Sequence, residues 1–325
     1  MVVFLYWNKT KMIVTDEKPL LMQNHAALTD DRMVGNDLIS ITSRTDEASD
    51  ELEPPEHRVN ALLNEVGLAP EAIAPRIKDR LVLLEKITPT IEDETAAIAM
   101  ARGVFDTAEI AGRAYTEEEQ REVIIGTLFT DIGKSGPLEA TPKQSRIIAK
   151  MYAIENIPED DVFGSVEAFL SKYFSNNEDV DTKAELRNLG LDIDNLKMRD
   201  FYNLHTKWTL EILLGDGVPK EAIPAAAAHH HMRGDNPDSI LNKRDEYNSG
   251  FDFGQNHTFD RPEKLVSILD MYDAYRRRSK LSHESAMVKI RSWVNTTDNR
   301  HYADDSELDI ILEDLDKTIL DPIPA

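Results

Sequence analysis

The chain has 325 residues, 41% of them hydrophobic, a formal net charge of −23 and no cysteine. Such acidity disfavours nucleic acid and anionic membrane, whose phosphates need local Lys and Arg, so a small substrate or a protein partner is expected. Without cysteine there is no disulfide, metal thiolate or cysteine nucleophile; any metal must be held by His, Asp or Glu, and a cytoplasmic location fits.

The apolar run Val2–Trp7 lacks the flanks of a signal peptide. No segment reaches the ~20 apolar residues of a membrane span. Residues 1–75 read as an N-terminal extension, with the acidic stretch Asp46–Glu56 ("DEASDELEPPE") as a linker. From Pro75 the apolar spacing turns helical, three and four residues apart, as in "RIKDRLVLLEKI" and "ETAAIAMARGVFDTAEIAGRAY". Thr116 and Glu119 form a capping-box pattern opening the next helix. Asp131 falls at that helix's C-terminal end, where Gly133 and Gly136-Pro137 break it.

Further helical patterns are "TPKQSRIIAKMYAIEN", "PEDDVFGSVEAFLSKYF", "LKMRDFYNLHTKWTLEILLG" and "PKEAIPAAAAHHH". An irregular stretch over about 233–260 precedes "RPEKLVSILDMYDAYRRRSK" and "SHESAMVKIRSW". The expected fold is all-α: a helical domain over 76–300, and an acidic tail over 301–325. The tail carries one more amphipathic helix, which could meet a protein partner.

Four features on separate helices carry chemistry: "FTDIGKSGP" at 129–137, His205, the triplet His229-His230-His231, and "LDMYDAYRRR" with Asp270 and Asp273. Imidazole plus carboxylate is a ligand set for Fe, Mn, Zn or a similar divalent metal. Helical bundles build such sites from side chains on facing helices. Histidines ending a helix are also what the macrodipole favours, so the triplet alone leaves both readings open. Arg277 lies two turns beyond Asp270 on one helical face and can offer an anionic substrate local positive charge.

In this order, the motifs resemble the HD superfamily of metal-dependent phosphohydrolases. They are most similar to its HD-GYP group of cyclic-dinucleotide phosphodiesterases, which typically read "LHDIGK", "HPxxGxxIL", "HHExxDGxGYP" and "ADxYDAL". The likeness runs from about Thr95 to Trp293. It implies an HD-type helical bundle with an inserted segment over about 158–197. It also implies that Asp131, His205, His229, His230 and Asp270 are metal ligands, with Asp131 between two metals and catalytic, and that Lys134 is catalytic and faces the substrate phosphate. A small phosphorylated or nucleotide-like substrate follows, with Lys134 and Arg277 binding it.

The chain also departs from the pattern. Thr130 stands where the family has its defining His, and Asp93–Ala111 holds no upstream His, although Glu94 there could supply an oxygen. "RGDNP" at 233–237 replaces the Gly-Tyr-Pro loop. One metal position is therefore expected complete and a second reduced. Two readings remain: a divergent phosphohydrolase, or a catalytically degenerate binding and signalling module. His231 is expected to be a bystander and His257 a spare ligand.

Overall fold

The computed structural model describes residues 53–88, 90–155, 157–174, 176–214, 217–230, 260–294 and 306–320. The described chain is helical throughout, with one isolated antiparallel bridge between Ser165 and Lys197. The all-α expectation holds. The helices are α1 (Pro55–Glu65), α2 (Pro75–Ile87), α3 (Thr90–Ile110), α4 (Glu117–Phe129), α5 (Pro142–Tyr152), α6 (Glu159–Val162), α7 (Val166–Tyr173) and α8 (Asn176–Asn188). Then come α9 (Met198–Leu213), α10 (Ala222–Ala227), α11 (Arg261–Asp273), α12 (His283–Val294) and α13 (Ser306–Leu320). A 3-10 turn, Ile132–Ser135, follows α4, and a π-helical turn, Ala274–Arg278, extends α11.

Local chemistry sets the helix starts. The capping box on α4 forms: the Thr116 side chain accepts from Glu119 N, and the Glu119 carboxylate accepts from Thr116 N. Thr141 and Gln144 form a second box on α5, with Pro142 in the first turn, where its missing N–H is no loss. The N-terminus of α3 is held from outside: Ile91 N donates to Glu85 of α2 at 2.8 Å, and Arg58 of α1 pairs with the same carboxylate at 2.7 Å. Helix α1, in the stretch read as an extension, buries Val59, Leu62 and Leu63 in the common core.

The site rests on close helix contacts. Helix α4 packs on α10, α3 and α11, and the 3-10 turn packs on α9 and α2. At Gly126 an added Cβ would stand 2.6 Å from Ala225 Cβ, so α4 and α10 meet at a spacing only small residues allow. The acidic tail helix α13 lies on α3, α11 and α12, with Leu308, Ile311, Leu312 and Leu315 buried. Its Asp314 pairs with Arg113 and its Glu307 with Lys264.

Helix α11 begins on a buried carboxyl. Glu263 is 4% exposed and its Oε2 has no hydrogen-bond partner. Burial, with Asp260 and Glu122 nearby, pushes its pKa from 4.5 up to about 7. A carboxyl whose folded pKa lies above its unfolded one holds its proton more tightly in the native state. Stability is therefore lost as pH rises from 4.5 to about 7, and the penalty is constant above that. Glu263→Gln should remove that loss, raising stability at pH 8 by up to ~3 kcal/mol while changing little at pH 4. Urea titrations of both proteins at the two pH values check this; equal midpoint gains at both would refute it.

Candidate metal centre

His205 sits mid-way along α9. His229 and His230 sit in the turn that ends α10. His205 Nδ1 donates to the Tyr202 carbonyl at 2.5 Å, and His229 Nδ1 donates to the Ala226 carbonyl at 2.6 Å. A carbonyl only accepts, so each neutral ring carries its proton on Nδ1 and turns an Nε2 lone pair inward. The two Nε2 atoms stand 3.1 Å apart. Two lone pairs facing at that distance repel, and a cation held by both reverses the sign. The separation is close to that of two donors sharing one ion at bond lengths of about 2.0–2.1 Å.

His230 completes the group. Donor atoms from His205, His229 and His230 lie within 4.8 Å of one another, and all three residues are buried. The ring centroids are 4.2, 4.7 and 5.1 Å apart. Burial, then the neighbouring His229 and Lys134, hold the His205 pKa well below its usual value, opposed by Asp131. The ring is thus kept in its neutral, ligating form. These three residues could hold a metal ion, with no thiolate in the set.

The other expected residues border the histidines. His230 Nε2 is 3.9 Å from Asp270 Oδ2. Asp270 and Asp131 line a narrow cleft with Asp93, Glu94 and Asp273. Asp131 follows α4 directly and is ion-paired with Lys134, one turn on. Arg277 reaches the same cleft, but its guanidinium bonds to both Asp93 and Asp273 at 2.9 Å. The two cations expected to receive a phosphate are therefore both engaged by carboxylates. Thr130, in place of the motif histidine, hydrogen-bonds Glu94 Oε1 at 3.3 Å and the Thr127 carbonyl at 3.0 Å. Burial, then the nearby Asp131 charge, push the Glu94 pKa well above the ordinary carboxylate range.

Residues that the sequence pattern missed hold the Asp131–Lys134 turn in place. Arg80, buried on α2, donates to the carbonyls of Ser135 (3.1 Å), Gly136 (2.9 Å), Pro137 (2.6 Å) and Leu138 (3.1 Å), and to Ser135 Oγ at 2.9 Å. Thr209 of α9 donates to the Thr130 carbonyl and accepts from Gly133 N, both at 3.1 Å. A Cβ at Gly133 would lie 1.9 Å from the His205 carbonyl oxygen, so only glycine lets the turn lie against α9. That contact fixes Asp131 relative to His205.

Elsewhere, His57 is exposed near Glu53, and His283 bridges Tyr272 of α11 and Asp316 of α13. His231, the "RGDNP" loop at 233–237 and His257 lie outside the described residues. No described helix is long and apolar enough to cross a membrane. Comparison of the chain with protein-family models, with curated proteins and with solved structures gives no match.

Proposed function

We propose that this chain is a metal-dependent phosphohydrolase acting on a nucleotide-like phosphodiester or phosphomonoester. The observation that carries the reading is the convergence of His205, His229 and His230 beside the Asp131–Lys134 turn and Asp270. His205, His229 and His230 would hold a divalent ion, with Asp270 beside His230; when bound, such an ion would supply a Lewis acid for a phosphoryl oxygen and lower the pKa of a water. Asp131 accepts a hydrogen bond from the attacking water and aligns it. Lys134 exchanges its bond to Asp131 for a non-bridging phosphate oxygen, and Arg277 at the cleft edge makes the outer contact.

Elemental analysis of the purified chain, followed by reloading with Fe, Mn, Zn or Co after chelation, tests the ligand set; one bound ion per chain is expected. Hydrolysis is then measured on cyclic dinucleotides, nucleotides and p-nitrophenyl phosphoesters, and Asp131→Ala is expected to lower it at least ~100-fold. Full activity in that variant would sink the mechanism. The second reading, a signalling module with a degenerate site, is favoured by one observation: Lys134 and Arg277 both already bond carboxylates. Stoichiometric metal with no turnover on any of these substrates would select it.

A further inference from the structure

We infer that Tyr152, the last residue of α5, is a positioning residue for His205: its ring and its hydroxyl together fix the orientation of the imidazole that turns Nε2 inward. The consequence for metal binding rests on the metal-centre reading above; the consequence for the imidazole itself does not.

The His205 ring needs restraint from outside its own helix. The terminal torsion of a histidine is broad and roughly two-fold, so α9 alone does not decide which ring nitrogen points inward. One restraint is the Nδ1 hydrogen bond to the Tyr202 carbonyl at 2.5 Å. The others are rings. The centroids of His229 and His230 stand 5.1 and 4.7 Å from that of His205. Tyr152 stands 5.7 Å away, with its plane turned 70° to the imidazole. The two histidines belong to the ligand group itself. Tyr152 is the wall on which that group leans, and it comes from a helix that carries none of the expected ligands.

The hydroxyl supplies a second, separate argument. Tyr152 Oη donates to the Phe201 carbonyl at 2.9 Å and leans toward the Tyr202 carbonyl at 3.4 Å. The Tyr202 carbonyl is the acceptor of the His205 Nδ1 proton, so the phenol steadies the stretch of backbone that fixes the imidazole's tautomer. A return bond crosses beside it, from Tyr202 Oη to the Met151 carbonyl at 3.5 Å. The rings pack as well: Tyr152 lies 5.5 Å from Phe201 and 5.3 Å from Tyr202. Consecutive residues at the end of α5 and near the start of α9 thus exchange hydroxyl–carbonyl bonds. Between them the chain runs out through α6, α7 and α8, so this clasp joins the two ends of that excursion one turn before His205. A metal-binding imidazole is oriented by the acceptor of its other N–H, and that acceptor orients only as well as it is itself held.

Two readouts on the full-length chain test this. The first needs no metal: with ¹⁵N-labelled histidine, the chelator-stripped wild type should show His205 as one tautomer, protonated on Nδ1. Tyr152→Leu removes both wall and hydroxyl and should show the two tautomers in exchange. Tyr152→Phe keeps the wall and should hold the tautomer with a weakened Nδ1 hydrogen bond. The second readout is Co²⁺, titrated into the stripped chain and followed by its visible absorption. Its affinity should fall about tenfold or more in Tyr152→Leu, with an altered band pattern, and Tyr152→Phe should recover part of that loss. A packing role alone would lower the urea midpoint of Tyr152→Leu and leave both the His205 tautomer and the Co²⁺ spectrum as in the wild type; that result overturns the proposal. Should the leucine variant fail to fold, Tyr152→Phe decides, and unchanged His205 nitrogen shifts with unchanged Co²⁺ affinity overturn it there. A wild type that binds no Co²⁺ removes the proposed function, and the histidine spectra still decide the role of Tyr152.

Discussion

Replacing Arg80 by alanine is expected to cost at least ~3 kcal/mol of stability and to loosen the turn that carries Asp131 and Lys134. One guanidinium satisfies four consecutive carbonyls, residues 135–138, and the Ser135 hydroxyl. Each buried acceptor left without a donor costs about 1–3 kcal/mol, less what entering water recovers. The group stays charged at neutral pH although burial and Arg76 pull its pKa down to about 10. Arg80→Lys should recover only part of the loss, because an ammonium has three donors and cannot span a fork of acceptors. Urea unfolding measures the first effect. The second appears as a fall in kcat with Co²⁺ affinity on the histidines nearly unchanged, since those rings sit on α9 and α10. A kcat equal to wild type would leave Arg80 purely structural.

Arg80 also shows where sequence reading stops. In "RIKDRLVLLEKI" it looks like any arginine on an amphipathic helix. Its partners are backbone carbonyls more than fifty residues away, and carbonyls carry no residue identity, so no pattern reveals them. The helix-ending role of Asp131 and the capping box at Thr116 were legible because they depend on residues within one turn. The meeting of His205 with His229 and His230 was legible only through motif order, because the contact between α9 and α10 depends on tertiary packing. Charge partners were legible least. Arg277 and Lys134 were expected to face a substrate; the close approach of α3 to α11 instead gives Arg277 both Asp93 and Asp273, and helical spacing gives Lys134 Asp131. Residues 1–75 were read as an extension, with only Asp46–Glu56 taken as linker on composition; beyond that acidic stretch, Val59, Leu62 and Leu63 of α1 enter the core.

His229→Ala is expected to reduce affinity for Co²⁺ or Zn²⁺ by more than the ~10–100-fold that losing an outer partner of a metal centre costs. The two Nε2 atoms at 3.1 Å are the reason. With both Nδ1 protons given to carbonyls, the metal-free pair holds two lone pairs against each other, and removing one ring relieves that repulsion. The metal-free variant should therefore lose less stability than an ordinary buried truncation, about 2–5 kcal/mol for a large apolar side chain. The metal-loaded comparison should go the other way. An ion that binds only the folded chain stabilises it by about 4 kcal/mol at a thousandfold excess over Kd. The wild type should gain that much in Tm-derived stability on loading, and His229→Ala almost none. His283→Ala is the matching control: that ring joins Tyr272 to Asp316 between α11, α12 and α13, so its loss should lower stability with or without metal by the same amount. Equal losses with and without metal for His229→Ala as well would show that its ring, too, is only a packing element, and that the facing lone pairs are bridged by a proton and not by an ion.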